Sequence, residues 1–132
     1  MAANTNKNSS TSFDESNVQD LVNQMKGFSA SQAMIEFELD GTIINANDNF
    51  CKGLGYSINE IRGKHHSMFV KPEYARSSEY ESFWQELGSG KFRAGEFLRV
   101  TKSGDDLWIL ASYNPVLDEN GKPYKVVKIA SD

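Results

Sequence analysis

The chain has 132 residues and a mass of 14.8 kDa, which suits one domain whose core needs no disulfide or metal for stability. Its net charge of −4 and its lack of a long basic run disfavour nucleic acid as a partner. The single cysteine, Cys51, excludes an internal disulfide, and no apolar run reaches the roughly 20 residues of a membrane span. The N-terminus lacks the apolar stretch of a secretory signal, so we expect a cytoplasmic protein with no membrane contact from this segment.

The N-terminal part divides into a polar leader and an amphipathic helix. Residues 1–12 show no apolar periodicity, which predicts a disordered leader. Residues 13–28 predict a separate helix that begins at Asp14 or Ser16 and ends at Gly27. Its apolar residues recur at helical spacing, at Val18, Leu21, Val22 and Met25.

Residues 30–132 read as a domain with two strands, several short helices and three further strands. Met34 to Leu39 alternates between apolar and polar residues, and Asp40-Gly41 predicts a hairpin turn into a second strand. Short helices are predicted within 47–56 and 57–63, and the longest helical pattern covers 76–87. Strands are predicted over 92–102, 107–117 and 124–130. This order predicts an α+β fold with an antiparallel sheet.

Several motifs, in this order and spacing, resemble a PAS domain over residues 30–132. They are Asp40-Gly41, Asn47-Asp48-Asn49-Phe50, Gly55-Tyr56-Ser57-Ile58-Asn59-Glu60-Ile61-Arg62-Gly63, Lys102-Ser103-Gly104, Trp108-Ile109 and Tyr113-Asn114-Pro115-Val116. Residues 66–73 and 81–84 are similar to PAS domains of bacterial chemotaxis transducers and energy-taxis receptors. The resemblance implies a PAS fold, a five-stranded antiparallel sheet with short helices on one face. We expect the amphipathic helix on the other face, because its apolar residues match that face.

The resemblance also implies a function in signal transduction. A PAS domain of this kind is a sensory input and dimerisation module that binds a small ligand or redox cofactor. It passes the change through flanking helices to a C-terminal signalling domain or another protein partner. The alternative is a cofactor-free dimerisation scaffold with a filled core. We expect no enzymatic activity, because the sequence has no nucleophile–base context and no phosphate-binding glycine loop.

The PAS pocket is expected between the sheet and the helices, although the same residues could simply fill an ordinary core. The candidate cofactor- or ligand-binding residues are Asn47, Phe50, Leu54, Ile61, Met68, Phe69, Phe83, Trp84, Ile109, Ala111 and Tyr113.

The opposite face of the sheet is also expected to be apolar. Strand alternation points six residues outward, namely Leu98, Val100, Trp108, Leu110, Val127 and Ile129. A row of this kind is rarely left exposed, so we expect the amphipathic helix, a second subunit, or both to cover it in a homodimer.

The identity of a cofactor stays open at the level of sequence. Energy-taxis PAS domains hold flavin adenine dinucleotide (FAD) near an Arg-His-Pro-Asp run, where this chain has Val70-Lys71-Pro72-Glu73. Asn47 and Trp84 match that family, so FAD is compatible, but the missing arginine removes a natural diphosphate partner. Haem is less favoured, because only His65 and His66 exist and we expect both to be surface or capping residues.

Three other residue groups carry further expectations. Cys51 is expected to fill the core and lies outside the cysteine motif of light-sensing PAS relatives. The histidines and nearby acids lack the spacing of metal ligands, so no metal site is predicted. Arg99 could bind a small carboxylate if it points inward, but we expect it to pair with a glutamate across the sheet: Glu36, Glu38 or Glu96.

Overall fold

The computed structural model describes residues 17–131, which fall into two units, one ending at Ser31 and one beginning at Gln32. The first unit contains helix α1, Val18–Ser31, none of whose side chains is buried. The Asn17 side chain accepts a hydrogen bond from the Asp20 backbone N–H at 3.0 Å and so caps its start. The helix continues past Gly27, where the sequence predicted its end, because Phe28 extends the apolar spacing from Met25. The predicted leader, residues 1–12, lies outside the described residues.

The second unit is built on a five-stranded antiparallel sheet, which confirms the predicted α+β class. The strands are β1 Ala33–Phe37, β2 Ile43–Ala46, β3 Arg93–Val100, β4 Asp106–Leu117 and β5 Pro123–Ser131. Their order across the sheet is β2-β1-β5-β4-β3. The last strand therefore lies at the centre, paired with β1 on one side and β4 on the other.

Short helices connect β2 to β3. They are α2 Asp48–Leu54, α3 Ile58–Ile61, a 3₁₀ helix His66–Phe69, α4 Pro72–Ala75 and α5 Ser78–Gly88. The predicted capping box at Ser57 and Glu60 is present at the start of α3. The predicted helix over 76–87 starts later, because the Ser77 hydroxyl accepts the Tyr80 N–H at 3.1 Å and caps α5 there.

The core lies between these helices and one face of the sheet. Alternate residues on the strands point into it, as Ile35 and Phe37 do on β1, and both are completely buried. Phe50 of α2 and Phe83 of α5 close the core from the helical side. No helix within residues 17–131 is long and apolar enough to cross a membrane.

Candidate functional site

Four polar side chains form a hydrogen-bonded group inside the core, called here the buried polar cluster: His66, Tyr80, Arg99 and Tyr113. His66 Nδ1 lies 2.6 Å from the Tyr80 hydroxyl, and His66 Nε2 lies 2.8 Å from the Tyr113 hydroxyl. Arg99 donates to the same Tyr113 oxygen from Nη2 at 2.9 Å and from Nε at 3.3 Å. The cluster therefore joins the 3₁₀ helix, α5, β3 and β4 through side chains alone.

The bonds of the cluster assign the positions of its protons. Tyr113 accepts the N–H groups of Arg99 on its lone pairs, so its own hydroxyl proton is free to donate to His66 Nε2. His66 is then protonated on Nδ1, which donates to the Tyr80 oxygen. The result is one directed chain that runs from the Arg99 cation to Tyr80 and polarises each bond along it.

A second buried cation, Lys128, lies on the inner face of β5, directly opposite Tyr113 of β4. It is 1% exposed, and its side chain takes part in no hydrogen bond or ion pair within residues 17–131, whereas its backbone pairs with β1 and β4. Its Nζ atom contacts aromatic faces, 4.9 Å from the centroid of the Tyr113 ring and 5.7 Å from that of Phe50. Apart from the tyrosines, the buried polar or charged side chains among the described residues are Lys128, Arg99 and His66, and none of them is acidic.

Burial sets the ionisation of these groups. Desolvation, assisted by the charges of Arg99 and Lys128, holds the pKa of His66 well below its usual value. Desolvation, with Arg99 adding repulsion, lowers the pKa of Lys128 well below its usual value. Burial raises the pKa of Tyr113, and the nearby Arg99 opposes that rise. At neutral pH the cluster therefore favours neutral His66 and neutral tyrosines beside a charged Arg99.

The two adjacent histidines have different roles. His65 is the predicted capping residue: its Nδ1 accepts the Ser67 N–H at 3.0 Å, and its Nε2 lies 2.7 Å from the Asp40 carbonyl oxygen. For His66 the surface or capping prediction is wrong, because the 3₁₀ helix turns its ring completely into the core.

The β1–β2 hairpin approaches this region closely. Gly41 has φ +97°, and a Cβ there would lie 2.7 Å from His65 Nε2 and 3.0 Å from Trp84. The indole N–H of Trp84 is buried and makes no hydrogen bond within the described residues. It nevertheless lies near enough to Tyr80 to oppose the rise that burial causes in the pKa of that phenol.

The structure places the predicted pocket residues in four kinds of position. The first group is buried in the main core cluster: Phe50, Leu54, Ile61, Phe69, Phe83, Trp84 and Tyr113. Met68 is partly buried against that cluster, and Ile109 and Ala111 belong to a smaller cluster with Ala130. Asn47 caps α2 by accepting the Phe50 N–H at 3.0 Å, accepts the Met34 N–H and donates to the Gln32 carbonyl. Their role in binding a ligand stays a prediction.

Sequence reasoning missed the charge inside the core. The predicted pairing of Arg99 with a glutamate is wrong, because Arg99 points inward to Tyr113 and donates from Nη1 to the Leu98 carbonyl. Lys128 was not singled out, although its outward neighbours Val127 and Ile129 place it inward by simple alternation. Tyr80 was not singled out within the helical pattern of residues 76–87, and it is buried on α5.

The outer apolar face consists of the residues that sequence alternation placed there: Leu98, Val100, Trp108, Leu110, Val127 and Ile129. Trp108 and Leu110 are 64% and 56% exposed, and the other four are partly buried. Docking of the amphipathic helix on this face stays a prediction.

The core as folded does not fit a flavin. Phe37, Trp84 and Tyr113 pack against one another, with Phe37 and Trp84 in edge contact at 5.3 Å between ring centroids. Ligand pockets for drug-sized molecules usually measure about 300–1,000 Å³. The partly open cavity bordered by Phe50, Ile109 and Ala130 measures about 60 Å³. A larger hollow of about 640 Å³, beside His65 and Trp84, is an open groove at the surface.

The core does not fit an axially ligated haem either. Haem iron needs a free imidazole nitrogen, thiolate or similar ligand. Both ring nitrogens of His66 are engaged by tyrosine hydroxyls, and both of His65 are engaged by backbone groups. Cys51 is buried, and desolvation raises the pKa of its thiol, which is consistent with core filling.

Within residues 17–131 no three His, Cys, Asp or Glu side chains group as metal ligands. The hydroxyl of Ser112 accepts a hydrogen bond from the Asn114 amide at 3.0 Å. The arrangement of the buried polar cluster can bind or polarise a ligand, and it contains no activated nucleophile.

Comparison with known proteins gives one consistent set of relatives. Residues 43–130 match the family model described as PAS fold. The chain is 43% identical over 113 residues to the biofilm dispersion protein BdlA of Pseudomonas aeruginosa, covering 86% of this chain and 27% of that protein. It is 29% identical to the aerotaxis receptor of Escherichia coli, covering 62% of this chain and 16% of the receptor. The structure of a PAS domain from Colwellia psychrerythraea superposes with a TM-score of 0.73 at 24% identity, covering 86% of this chain and 96% of that domain.

Proposed function

Because this chain belongs to the PAS-fold family, we propose that it is the sensory input domain of a longer signalling protein of the chemotaxis and energy-taxis kind. The matched region spans 27% of BdlA and 16% of the aerotaxis receptor, which is about a quarter and about a sixth of their lengths. The role we propose is binding rather than catalysis. A small ligand in the core shifts the sheet, and the flanking helices pass that shift to a C-terminal signalling domain or another partner.

The observation that carries this proposal is the buried polar cluster. An ordinary PAS core of this size could be filled with apolar side chains at lower cost, since burying a charge is unfavourable unless it is well paired. Here a guanidinium, an imidazole and two phenols occupy the space between sheet and helices. A polar interior of this kind suits recognition of a polar ligand better than it suits simple filling.

The proposal is tested by asking whether the folded chain retains a small molecule through Arg99. The purified 132-residue chain is measured by native mass spectrometry and absorbance, beside Arg99→Met. The matched control is Arg93→Met, on the same strand, where the arginine is exposed and pairs with Glu86 at 3.3 Å. We expect a retained mass in the wild type and in the control, and its loss in Arg99→Met.

A second variant removes the same contact from the tyrosine side. Tyr113→Phe keeps the ring and the shape of the core while it removes the hydroxyl that Arg99 contacts. A retained molecule that survives both Arg99→Met and Tyr113→Phe would contradict a role for the cluster. A wild-type chain that retains nothing would instead favour the alternative, a cofactor-free dimerisation scaffold with a filled core.

Dimerisation is the second part of the proposal. The outer apolar face exposes Trp108 and Leu110 side by side with partly buried aliphatic residues, and such a patch is typical of a protein interface. We propose that a second copy of this chain covers it. Homodimers with a shared two-fold patch are the commonest assemblies of soluble proteins, which supports a copy over another partner.

A further inference from the structure

The two buried cations have more hydrogen-bond donors than the described residues satisfy. Arginine has five N–H donors, and Arg99 uses three of them, on Tyr113 and on the Leu98 carbonyl. The side-chain ammonium of Lys128 donates no hydrogen bond within residues 17–131. Buried cations are normally paired with an acid, yet the buried polar side chains described here include none.

The two cations lie against the same ring. The Arg99 guanidinium carbon is 5.8 Å and Lys128 Nζ is 4.9 Å from the centroid of Tyr113. They are near enough for the charge of Arg99 to disfavour the ammonium form of Lys128 and lower its pKa. One anion near Tyr113 would relieve this repulsion and satisfy the free donors of both groups.

The adjoining space indicates what kind of anion fits. The cavity of about 60 Å³ is bordered by Phe50, Ile109 and Ala130, so its wall is largely apolar. Its volume is about twice the roughly 30 Å³ that a water molecule takes in the liquid. Phe50 lines this cavity, and the centroid of its ring also lies 5.7 Å from Lys128 Nζ, so Phe50 is the side chain that the cavity and Lys128 share.

We propose that Lys128 and Arg99 bind the carboxylate of a short-chain organic acid inside the PAS core, with its hydrocarbon part in the small cavity beside Phe50. This inference rests on the proposed sensory function and names its ligand class. A carboxylate with a short apolar tail matches a pair of cations beside an apolar wall, whereas phosphate presents polar oxygens on every side. Because Phe50 belongs to α2, seating the tail moves that ring and gives helix α2 a different position in the bound state.

The experiment titrates sodium acetate and sodium propionate into the full 132-residue chain and follows binding by calorimetry and by thermal unfolding. Sodium chloride at equal ionic strength corrects for general salt effects, and sodium phosphate is the competing anion. We expect propionate to raise the melting temperature above the chloride baseline. Lys128→Met, which keeps an unbranched side chain one atom shorter, should weaken propionate binding by about 10- to 100-fold, as expected for loss of one charge-assisted hydrogen bond.

The matched control is Lys125→Met, because Lys125 lies on the same strand, on the outer side, and pairs with Glu36 at 3.3 Å. Propionate should bind this variant as it binds the wild type. Equal binding to Lys128→Met and wild type would overturn the site, and stronger binding of phosphate than of propionate would overturn the ligand class. Absence of any carboxylate response, with a retained molecule that depends on Arg99, would overturn this inference and leave the sensory proposal standing.

Discussion

The Tyr113 hydroxyl accepts two hydrogen bonds from Arg99, although the two residues are not opposite each other in the sheet. Tyr113 is paired with Arg93 on β3, and Arg99 is paired with Leu107 on β4. The contact therefore depends on both long side chains leaning along the strands until they meet inside the core, at 2.9 Å between oxygen and Nη2. This one oxygen also bonds to His66, so it links β3 and β4 to the 3₁₀ helix.

Replacing Tyr113 with phenylalanine should therefore destabilise the domain more than a typical loss of one hydroxyl. Arg99 loses the acceptor for two of its N–H groups, and His66 Nε2 loses its donor, while all three positions stay buried. Leaving buried polar groups unpaired costs about 1–3 kcal/mol and more when one is charged, so we expect a loss of about 3 kcal/mol. Urea unfolding measures the change.

The control for that variant is Tyr124→Phe. Tyr124 is 52% exposed near the start of β5, so its hydroxyl can bond to water in both states. We expect a change within about 0.5 kcal/mol there. Equal stability of Tyr113→Phe and Tyr124→Phe would contradict the hydrogen-bond network described above.

The local elements of the fold could be predicted from the sequence because their signals are local. The capping box at Ser57 and Glu60, the turn at Asp40-Gly41 and the alternation along the strands each depend on residues a few positions apart. The predicted end of α1 at Gly27 was wrong, because one glycine lowers helix stability only slightly and the apolar spacing continues to Phe28. Residues close in sequence therefore determine these elements.

The buried polar cluster could not be predicted in the same way, because it depends on contacts between distant segments. Arg99 reaches Tyr113 along a diagonal that pairing rules do not reveal, and His66 meets Tyr80 only after the short helices have packed. For Lys128 the alternation was a sufficient signal. The general exposure of lysine argued against an inward position, and burial overrides that preference here.

Stability should depend on pH through His66. Its pKa is held well below the usual value in the folded state, mainly by desolvation, while the unfolded chain takes up a proton near pH 6.5. The unfolded state therefore binds more protons below about pH 6.5, so stability is full above that pH and falls as the pH decreases towards the folded pKa. The slope attributable to one such group is at most about 1.4 kcal/mol per pH unit.

A comparison with His66→Gln isolates this contribution. Glutamine can still donate and accept hydrogen bonds, but it does not titrate. The contributions of all titratable groups that the two proteins share therefore cancel in the difference between their unfolding free energies. We expect the wild type to lose stability relative to His66→Gln between about pH 6.5 and pH 5. Parallel curves over that range would show that His66 titrates alike in both states.

Gly41 should be intolerant of a side chain for two separable reasons. It has φ +97°, and a Cβ would lie 2.7 Å from His65 Nε2. Gly104 has φ +93° but nothing within 4 Å of a Cβ, so Gly104→Ala measures the backbone cost alone, about 1–2 kcal/mol. We expect Gly41→Ala to lose about 1–3 kcal/mol more of unfolding free energy than Gly104→Ala, because its side chain overpacks the site. Equal losses in urea unfolding would show that His65 and Trp84 move aside freely.

The outer apolar face should control self-association. The double substitution Trp108→Ser with Leu110→Ser removes the two most exposed apolar side chains of that face. Sedimentation velocity should show a wild-type dimer and a variant monomer, because the apolar centre of an interface carries most of its binding energy. Phe92→Ser, at a residue that is 68% exposed outside the strands, should leave the dimer intact. A wild-type monomer at high concentration would refute the homodimer.

Removing the buried ammonium of Lys128 should stabilise the protein when no ligand is bound. The folded state lowers the pKa of Lys128 well below its usual value, chiefly by desolvation, whereas the unfolded chain keeps the ammonium charged up to about pH 10.4. Folding near neutral pH therefore either deprotonates this group or buries its charge, and both cost free energy.

Lys128→Met should raise the unfolding free energy by about 1–4 kcal/mol at pH 7, the range found when buried ionic groups are replaced by apolar ones. Lys125→Met, which breaks a partly exposed ion pair with Glu36, should change it by less than about 1 kcal/mol. If Lys128→Met is instead less stable than the wild type, the cation–aromatic contacts with Tyr113 and Phe50 outweigh the cost of burial, and Lys128 is a structural residue.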